Sequence, residues 1–199
     1  MTTLAAQKQA LRRVMRQRLS ALSPVAFTAA GEAIAAAVSS LLPVAGTVAL
    51  FASRRDEIDM RPVEALLRAR GLTVVVPRID GDELEFHVVD SIHAQPLDRF
   101  GIATPPSTLP TVSLSACALV MVPGLAFDVD GGRVGHGGGF YDRACADLDL
   151  DRVVGVLLDE QWVDDVPMGA GDVRLRWLCA PTRGLVRVAP PSPRPAGQR

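Results

Sequence analysis

Several residue types are scarce in this chain of 199 residues, and each scarcity argues against a class of protein. The three cysteines, Cys117, Cys145 and Cys179, are far apart and form no CxxC pair, so we expect buried thiols rather than disulfides or a zinc site. No apolar run approaches the roughly 18 residues that a membrane span requires, and the N-terminus lacks the apolar stretch of a secretory signal. We therefore expect a cytoplasmic protein that does not bind membranes.

Aromatic residues and excess positive charge are also lacking. Aromatics make up 5% of the chain, and 21 basic residues against 22 acidic ones give a formal net charge of −1. Because nucleic-acid binders are usually basic and offer aromatic stacking surfaces, we expect no nucleic-acid partner.

Lysine is nearly absent, since Lys8 is the single lysine beside 20 arginines. Lys8 either persists by chance or is retained because a compact ammonium group is needed there, and composition leaves both explanations open.

The residues that are present alternate between helical and strand patterns. Apolar residues make up 48% of the chain and charged residues 22%, which is typical of a globular domain. The periodicity predicts helices over 4–22, 24–41, 60–70 and 141–148, and strands over 47–51, 72–76, 83–89, 118–122 and 153–158. This alternation predicts a single α/β domain over residues 1–188, with a mainly parallel sheet covered on both faces. The proline-rich residues 189–199 predict a disordered tail.

A glycine cluster follows the predicted strand 118–122, with six glycines in residues 131–139. Ligands of parallel sheets bind beyond the carboxyl ends of the strands, and glycines let backbone N–H groups converge on an anion. Arg133 adds a guanidinium group, and the next helix would add its N-terminus. The segment predicts a phosphate cradle, with a flexible surface loop as the alternative. Its spacing fits neither the Walker A motif nor the dinucleotide-binding fingerprint.

Asp142 follows this cluster and has two explanations at this stage. A carboxylate in the first turn stabilises any helix. Beside a polyphosphate, a carboxylate is also the usual anchor for magnesium, which prefers oxygen ligands. Both explanations remain open from the residues alone.

Four segments between about residues 7 and 175 resemble, in order, motifs of the 5-formyltetrahydrofolate cyclo-ligase family. Residues 8–12 (KQALR) resemble an early Lys-x-x-x-Arg, and residues 51–58 (FASRRDEI) resemble Phe-x-Ser-x-x-x-Glu-Ile. Residues 123–128 (PGLAFD) and 133–142 (RVGHGGGFYD) resemble Pro-Gly-x-x-Phe-Asp and Arg-Leu-Gly-x-Gly-x-Gly-Tyr-Tyr-Asp. The last pair is the most specific of these motifs.

The resemblance implies a three-layer α/β/α fold, Mg²⁺, and ATP as co-substrate. The implied reaction converts 5-formyltetrahydrofolate and ATP into 5,10-methenyltetrahydrofolate, ADP and phosphate. It would proceed by phosphorylation of the formyl oxygen and ring closure by N10. We expect a monomer.

The same resemblance assigns roles to individual residues. Its ATP-binding residues are Lys8, Arg12, Arg133, Val134, Gly135, His136, Gly137, Gly138, Gly139, Phe140 and Tyr141. Its folate-contact residues are Ala52, Glu57, His136, Gly137, Gly138, Gly139 and Phe140. Its metal ligands are Asp142 and, through the spacing Val-Pro-x-x-x-x-Asp, Asp172. Lys8 and Arg12, four residues apart on one helical face, could both point at a triphosphate. Glu57 could accept hydrogen bonds from the pterin, although an acid after a strand is also common as a helix cap.

The sequence departs from the family pattern at several positions. His136 stands where a tyrosine or arginine often occurs, Phe140 replaces the first tyrosine of the pair, and Thr104 replaces a frequent glutamate. Phe140 keeps the ring for stacking and loses a hydroxyl group. Residues 173–183 resemble the family poorly, so they receive no assigned role.

Two other functions are compatible with parts of the sequence. A sugar-phosphate isomerase or CoA-transferase-like enzyme could share the scaffold, because a fold alone does not fix a function. An RNA-binding module without catalytic activity is suggested by the arginine-rich first helix. Neither of these functions would consume ATP.

Overall fold

The structure, a computed structural model of the chain, describes residues 2–98 and 101–188. The prediction of a disordered tail over 189–199 falls outside the described residues. The four α-helices of the described chain are α1 (Leu4–Ser20), α2 (Pro24–Val38), α3 (Arg61–Ala69) and α4 (Phe140–Cys145). Its strands are β1 (Thr47–Ala49), β2 (Thr73–Asp80), β3 (Glu83–Val88), β4 (Leu119–Val122), β5 (Ala126–Phe127), β6 (Arg133–Val134), β7 (Val153–Val156), β8 (Trp177–Ala180) and β9 (Gly184–Arg187).

Seven of these strands form one sheet in the order β3-β2-β1-β4-β7-β8-β9. The five central strands are parallel, and β3 and β9 are antiparallel at the two edges. In the centre, Val48 of β1 pairs with Val74 of β2 and Leu119 of β4. The predicted mainly parallel sheet is therefore confirmed. Strands β5 and β6 pair separately as a small antiparallel ribbon.

Both faces of the sheet are covered, which gives the three-layer arrangement that the resemblance implied. Residues of α1, α2 and α3 pack on one face, against side chains such as Val48, Val74 and Met121. The other face is covered by α4 and by loop segments that pack on Val75, Val120 and other side chains. Strands β4 and β7 are buried at every position, which explains why their sequences are continuous apolar runs.

The predicted elements differ from the observed ones mainly at their ends. The helix predicted over 141–148 is α4, which ends at Cys145 and has only six residues. The predicted strand 72–76 continues past Pro77 to Asp80, and it turns directly into β3. Strands β5, β6, β8 and β9 were not predicted from the sequence. Among the described residues, no single helix is long and apolar enough to cross a membrane; α1 and α2 reach that test only as a pair bent by 101°.

The strand order creates a switch point between β1 and β4. From β1 the chain passes through α3 to β2 on one side, whereas β4 adds to the opposite side of β1. The segments that leave the carboxyl ends of β1 and β4 therefore diverge and leave a crevice between them. Such crevices are where ligands of open α/β sheets bind.

Candidate active site

A cleft of about 390 Å³ opens at this switch point. Its walls come from α1, the segment after β1, the β2–β3 hairpin, and the glycine cluster after β4. Every residue that the sequence analysis assigned to ATP, folate or metal lines this one cleft. Further lining residues that the sequence analysis did not assign are Phe51, Arg54, Ile79, Leu84, Ile102 and Pro123.

Helix α1 supplies two cations to the cleft. The Lys8 ammonium group donates a hydrogen bond to Oδ2 of Asp172, and the two residues lie 164 positions apart. The Arg12 Nε donates to the carbonyl oxygen of Gly135 at 2.8 Å. Helix α1 is therefore fixed against both the glycine cluster and the segment that carries Asp172.

The ion pair with Lys8 sets the charge of Asp172. Burial alone would raise the pKa of Asp172, but hydrogen bonds from Lys8 and from the Gly169 backbone outweigh it and lower the pKa below its usual 3.8. Asp172 is thus an ionised carboxylate at neutral pH.

A second cation–carboxylate pair lies across the cleft. Arg133, whose side chain is 4% exposed, donates through Nη2 to Oδ1 of Asp142 at 2.8 Å. Its Nη1 donates to the carbonyl oxygen of Pro123 at 3.3 Å, and the backbone N–H of Val173 donates to the same Asp142 oxygen at 3.3 Å. Residues 173–183 thus contribute a backbone contact to this wall.

The two aspartates fit a magnesium site. Within residues 2–98 and 101–188, the second oxygen of each carboxylate, Oδ2 of Asp142 and Oδ1 of Asp172, accepts no hydrogen bond. The same residues contain no cluster of three or more histidine, cysteine or acidic side chains arranged for a metal. Mg²⁺ does not require one, since it commonly takes one or two carboxylates together with phosphates and waters.

The glycine cluster is held in place by Asp128, which is 2% exposed. Its Oδ1 accepts hydrogen bonds from the backbone N–H groups of Asp130 (2.9 Å) and Gly132 (2.8 Å), and its Oδ2 from Val166 (2.8 Å). This carboxylate accepts hydrogen bonds from backbone N–H groups that would otherwise have no acceptor in such an irregular loop. Its role is to support the loop, because it does not line the cleft.

Two glycines of the cluster face α1 and α4 with backbone conformations that other residues rarely adopt. Gly137 has φ +119° and lies 3.5 Å, measured from an ideal Cβ, from the guanidinium carbon of Arg12. Gly139 has φ +68° and caps α4. Helix α4 has only six residues, so it is shorter than the helix predicted over 141–148, and its dipole is correspondingly weak.

The segment after β1 presents Glu57, whose side chain is 8% exposed. Its Oε1 lies 3.0 Å from Nε2 of His136, and its Oε2 accepts a hydrogen bond from the backbone N–H of Arg54 at 2.9 Å. Ser53 stabilises the same turn by donating to the carbonyl of Ile58 at 2.6 Å. Glu57 thus caps its own turn and faces the glycine cluster.

Aromatic side chains complete the wall. The Phe140 ring lies 5.1 Å from the guanidinium carbon of Arg143, which also donates to the carbonyl of Gly138 at 2.9 Å. The Tyr141 hydroxyl is buried, and it has no hydrogen-bond partner among the described residues. Burial, together with the negative charge of Glu57, raises the pKa of Tyr141, so its hydroxyl remains protonated. Thr104, which stands where the family often has glutamate, does not line the cleft.

Comparison with known proteins gives a consistent result. The model of the 5-formyltetrahydrofolate cyclo-ligase family matches residues 4–181. A 5-formyltetrahydrofolate cyclo-ligase of Escherichia coli strain K12 is 32% identical over 179 residues, which cover 85% of this chain and 98% of that protein. One from Mycolicibacterium smegmatis is 35% identical over 90 residues, 44% of this chain and 46% of that relative.

A solved structure agrees with these sequence relatives. The NMR structure of Aquifex aeolicus 5,10-methenyltetrahydrofolate synthetase superimposes with a TM-score of 0.77 at 26% identity, and it covers 94% of this chain and 95% of its own. Fold, sequence relatives and family model agree over nearly the whole chain. The chain therefore belongs to the 5-formyltetrahydrofolate cyclo-ligase family.

Proposed function

We propose that this ligase converts 5-formyltetrahydrofolate into 5,10-methenyltetrahydrofolate, with ATP and Mg²⁺, and releases ADP and phosphate. The observation that carries the proposal is the meeting of α1 with the glycine cluster in one cleft. Arg12 and Gly135, which are hydrogen-bonded, lie 123 positions apart in the chain. Cations and a glycine-rich backbone are thereby placed around a space large enough for a phosphate chain.

Phosphoryl transfer depends on positioning and on neutralising charge more than on a protein nucleophile. Lys8, Arg12 and Arg133 supply three cations on the walls of the cleft. Lys8 is paired with Asp172, and Arg133 is paired with Asp142. A bound triphosphate would take over these cations, and the aspartates would be released for a metal ion.

Asp142 and Asp172 would hold Mg²⁺ through their remaining oxygens. When bound, the ion would neutralise negative charge on the phosphates and orient them for transfer.

The folate would bind beside Glu57. An ionised carboxylate accepts hydrogen bonds, and the ring N–H and amino group of a pterin are donors. The apolar side chains of Phe51, Ile79 and Leu84 line the same cleft and would exclude water from the reacting groups. Exclusion of water matters because water would compete for the activated formyl group.

In the proposed reaction, the formyl oxygen attacks the γ-phosphorus, and the bond between that phosphorus and ADP breaks. N10 then attacks the phosphorylated formyl carbon and loses its proton. The C–O bond breaks, so the former formyl oxygen leaves with phosphate as the ring closes. Arg133 and the loop backbone would hold the transferring phosphoryl group during both steps.

A direct assay tests this function. The purified protein is mixed with ATP, Mg²⁺ and 5-formyltetrahydrofolate, and the absorbance of the methenyl product is followed with ADP release. We expect the two products in equal amounts, and neither when ATP or Mg²⁺ is omitted. Absence of the methenyl product at saturating ligands would overturn the proposal, and product formed without ATP would overturn its ATP dependence.

A further inference from the structure

One contact joins the two halves of the cleft. His136, in the glycine cluster, meets Glu57, in the segment after β1, with 3.0 Å between Nε2 and Oε1. Among the described residues, this is the only hydrogen bond that links residues 50–60 to residues 131–139.

The contact leaves Glu57 able to bind a ligand. One hydrogen bond falls on each carboxylate oxygen, from His136 and from the Arg54 backbone. An ionised carboxylate offers about four acceptor sites, so roughly two remain. Two neighbouring donors on one edge of a pterin could therefore bind while His136 stays in place. Under this geometry His136 fixes the direction in which the carboxylate points.

The other end of the contact is held by α1. Arg12 donates to the carbonyl of Gly135 at 2.8 Å, and Arg16 lies 3.5 Å from the carbonyl oxygen of His136. The backbone on both sides of the His136 side chain is thus tied to the helix that supplies Lys8. A triphosphate held by α1 and the loop would fix this backbone, and with it the imidazole.

We propose that the contact between His136 and Glu57 couples the binding of ATP to the binding of folate, with His136 as a positioning residue. The inference rests on the proposed function, since it takes Glu57 as the pterin acceptor and the glycine cluster as the ATP site. The ATP site lies on the His136 side of this contact and the folate site on the Glu57 side, so a ligand that holds one partner also restricts the other. The coupling is reciprocal, because each ligand must raise the affinity for the other by the same factor.

Calorimetric titration measures this coupling without turnover. A non-hydrolysable ATP analogue is titrated with Mg²⁺ into the protein, alone and with saturating 5-formyltetrahydrofolate. Couplings between sites are typically about 5- to 150-fold, and we expect folate to tighten binding of the analogue by at least about fivefold. In His136→Ala we expect this factor to fall close to one. His136→Gln, whose amide can donate to Glu57, should recover most of it.

A matched control is available in His93, which is exposed and does not line the cleft. His93→Ala should keep the full coupling factor. If the native protein binds both ligands without coupling, or if His136→Ala keeps the native factor, the coupling proposal is wrong and the proposed function stands. If His136→Gln behaves like His136→Ala, a hydrogen bond to Glu57 is not the cause and the proposal is also wrong. If the native protein binds neither ligand, the proposed function itself fails.

Discussion

Lys8 shows how one side chain links composition to the site. It is the only lysine of the chain, and its side chain is 16% exposed where it meets Asp172 in the cleft. A lysine that persists by chance would more often lie on the surface, because its ammonium group is strongly hydrated. The position of Lys8 thus supports the explanation that a compact ammonium group is retained for the cleft.

Substitution Lys8→Ala should weaken ATP use and leave the fold intact. We expect the KM for ATP to rise, or kcat to fall, by about tenfold or more, since a charge-assisted contact contributes about 1.5–3 kcal/mol. Steady-state kinetics and a circular dichroism spectrum measure both effects. The control is Arg13→Ala on the exposed face of α1, which should behave like the native protein. Native kinetics in Lys8→Ala would remove Lys8 from the ATP site.

The resemblance assigned these residues to ATP, folate and metal, and the structure brings them into one cleft, but the contacts among them were not predictable. Spacing within the sequence could not reveal that Glu57 meets His136, 79 positions away, or that Lys8 is neutralised by Asp172. Such contacts depend on the tertiary fold. For the same reason, the sequence pattern could not show that Ile79 and Leu84 lie on a wall of the cleft, which the β2–β3 hairpin forms.

At the scale of elements, β1, β4 and β7 could be predicted because they are short, mostly buried apolar runs. The edge strand β3 could be predicted from its alternation of apolar and polar residues. Strand β9 is half-exposed and exists by pairing with β8, so its own sequence says little. Strands β5 and β6 have two residues each, and the turn between them is fixed by the buried Asp128.

Asp128→Ala should therefore destabilise the whole protein. It would leave three backbone N–H groups without their acceptor, and each unsatisfied buried group costs about 1–3 kcal/mol. Allowing for partial relaxation, we expect the free energy of unfolding in urea to fall by about 2–4 kcal/mol. Asp147→Ala, at an exposed position, serves as the control and should change little. An unchanged unfolding midpoint in Asp128→Ala would contradict the supporting role of this carboxylate.

Within the glycine cluster, Gly137→Ala should reduce nucleotide binding. Its φ of +119° is a conformation that side-chain-bearing residues rarely adopt, so alanine would shift the loop beside Arg12. We expect the affinity for the ATP analogue to fall by at least about tenfold, since such strain costs of order 1–3 kcal/mol. Gly184→Ala also introduces a side chain at a positive φ (+63°), at the start of β9 and away from the cleft, and should bind the analogue normally. Equal losses in both variants would mean that general destabilisation, and not the site, causes the effect.

At the scale of the whole molecule, the family assignment decides between the two enzyme hypotheses in favour of a cyclo-ligase. The outline of the fold, a mainly parallel sheet between two layers, was predictable because alternating helices and strands permit few arrangements. The order of the strands was not predictable from pattern alone, and it is this order that places the cleft between β1 and β4. A monomer, a cytoplasmic location and the absence of a nucleic-acid partner remain predictions.

The three cysteines are free and buried, and their burial predicts low thiol reactivity in the native protein. Burial raises the pKa of Cys117 and Cys145 to about 11 and that of Cys179 to about 12, so all three are neutral thiols at pH 8. We expect Ellman's reagent to label none of them rapidly in the native protein and all three after unfolding. Since the unfolded thiols lose their protons near pH 9 and the folded ones do not, stability should fall as the pH rises above about 9. Rapid labelling of the native protein would contradict this core.

The most direct measurement of the central claim is a crystal structure with Mg²⁺, a non-hydrolysable ATP analogue and 5-formyltetrahydrofolate. We predict the phosphates between α1 and the glycine cluster, with Lys8 moved from Asp172 onto a phosphate oxygen, and the pterin edge on Glu57. Phosphates bound elsewhere, with Lys8 still on Asp172, would contradict the account that these two remote segments form one ATP site.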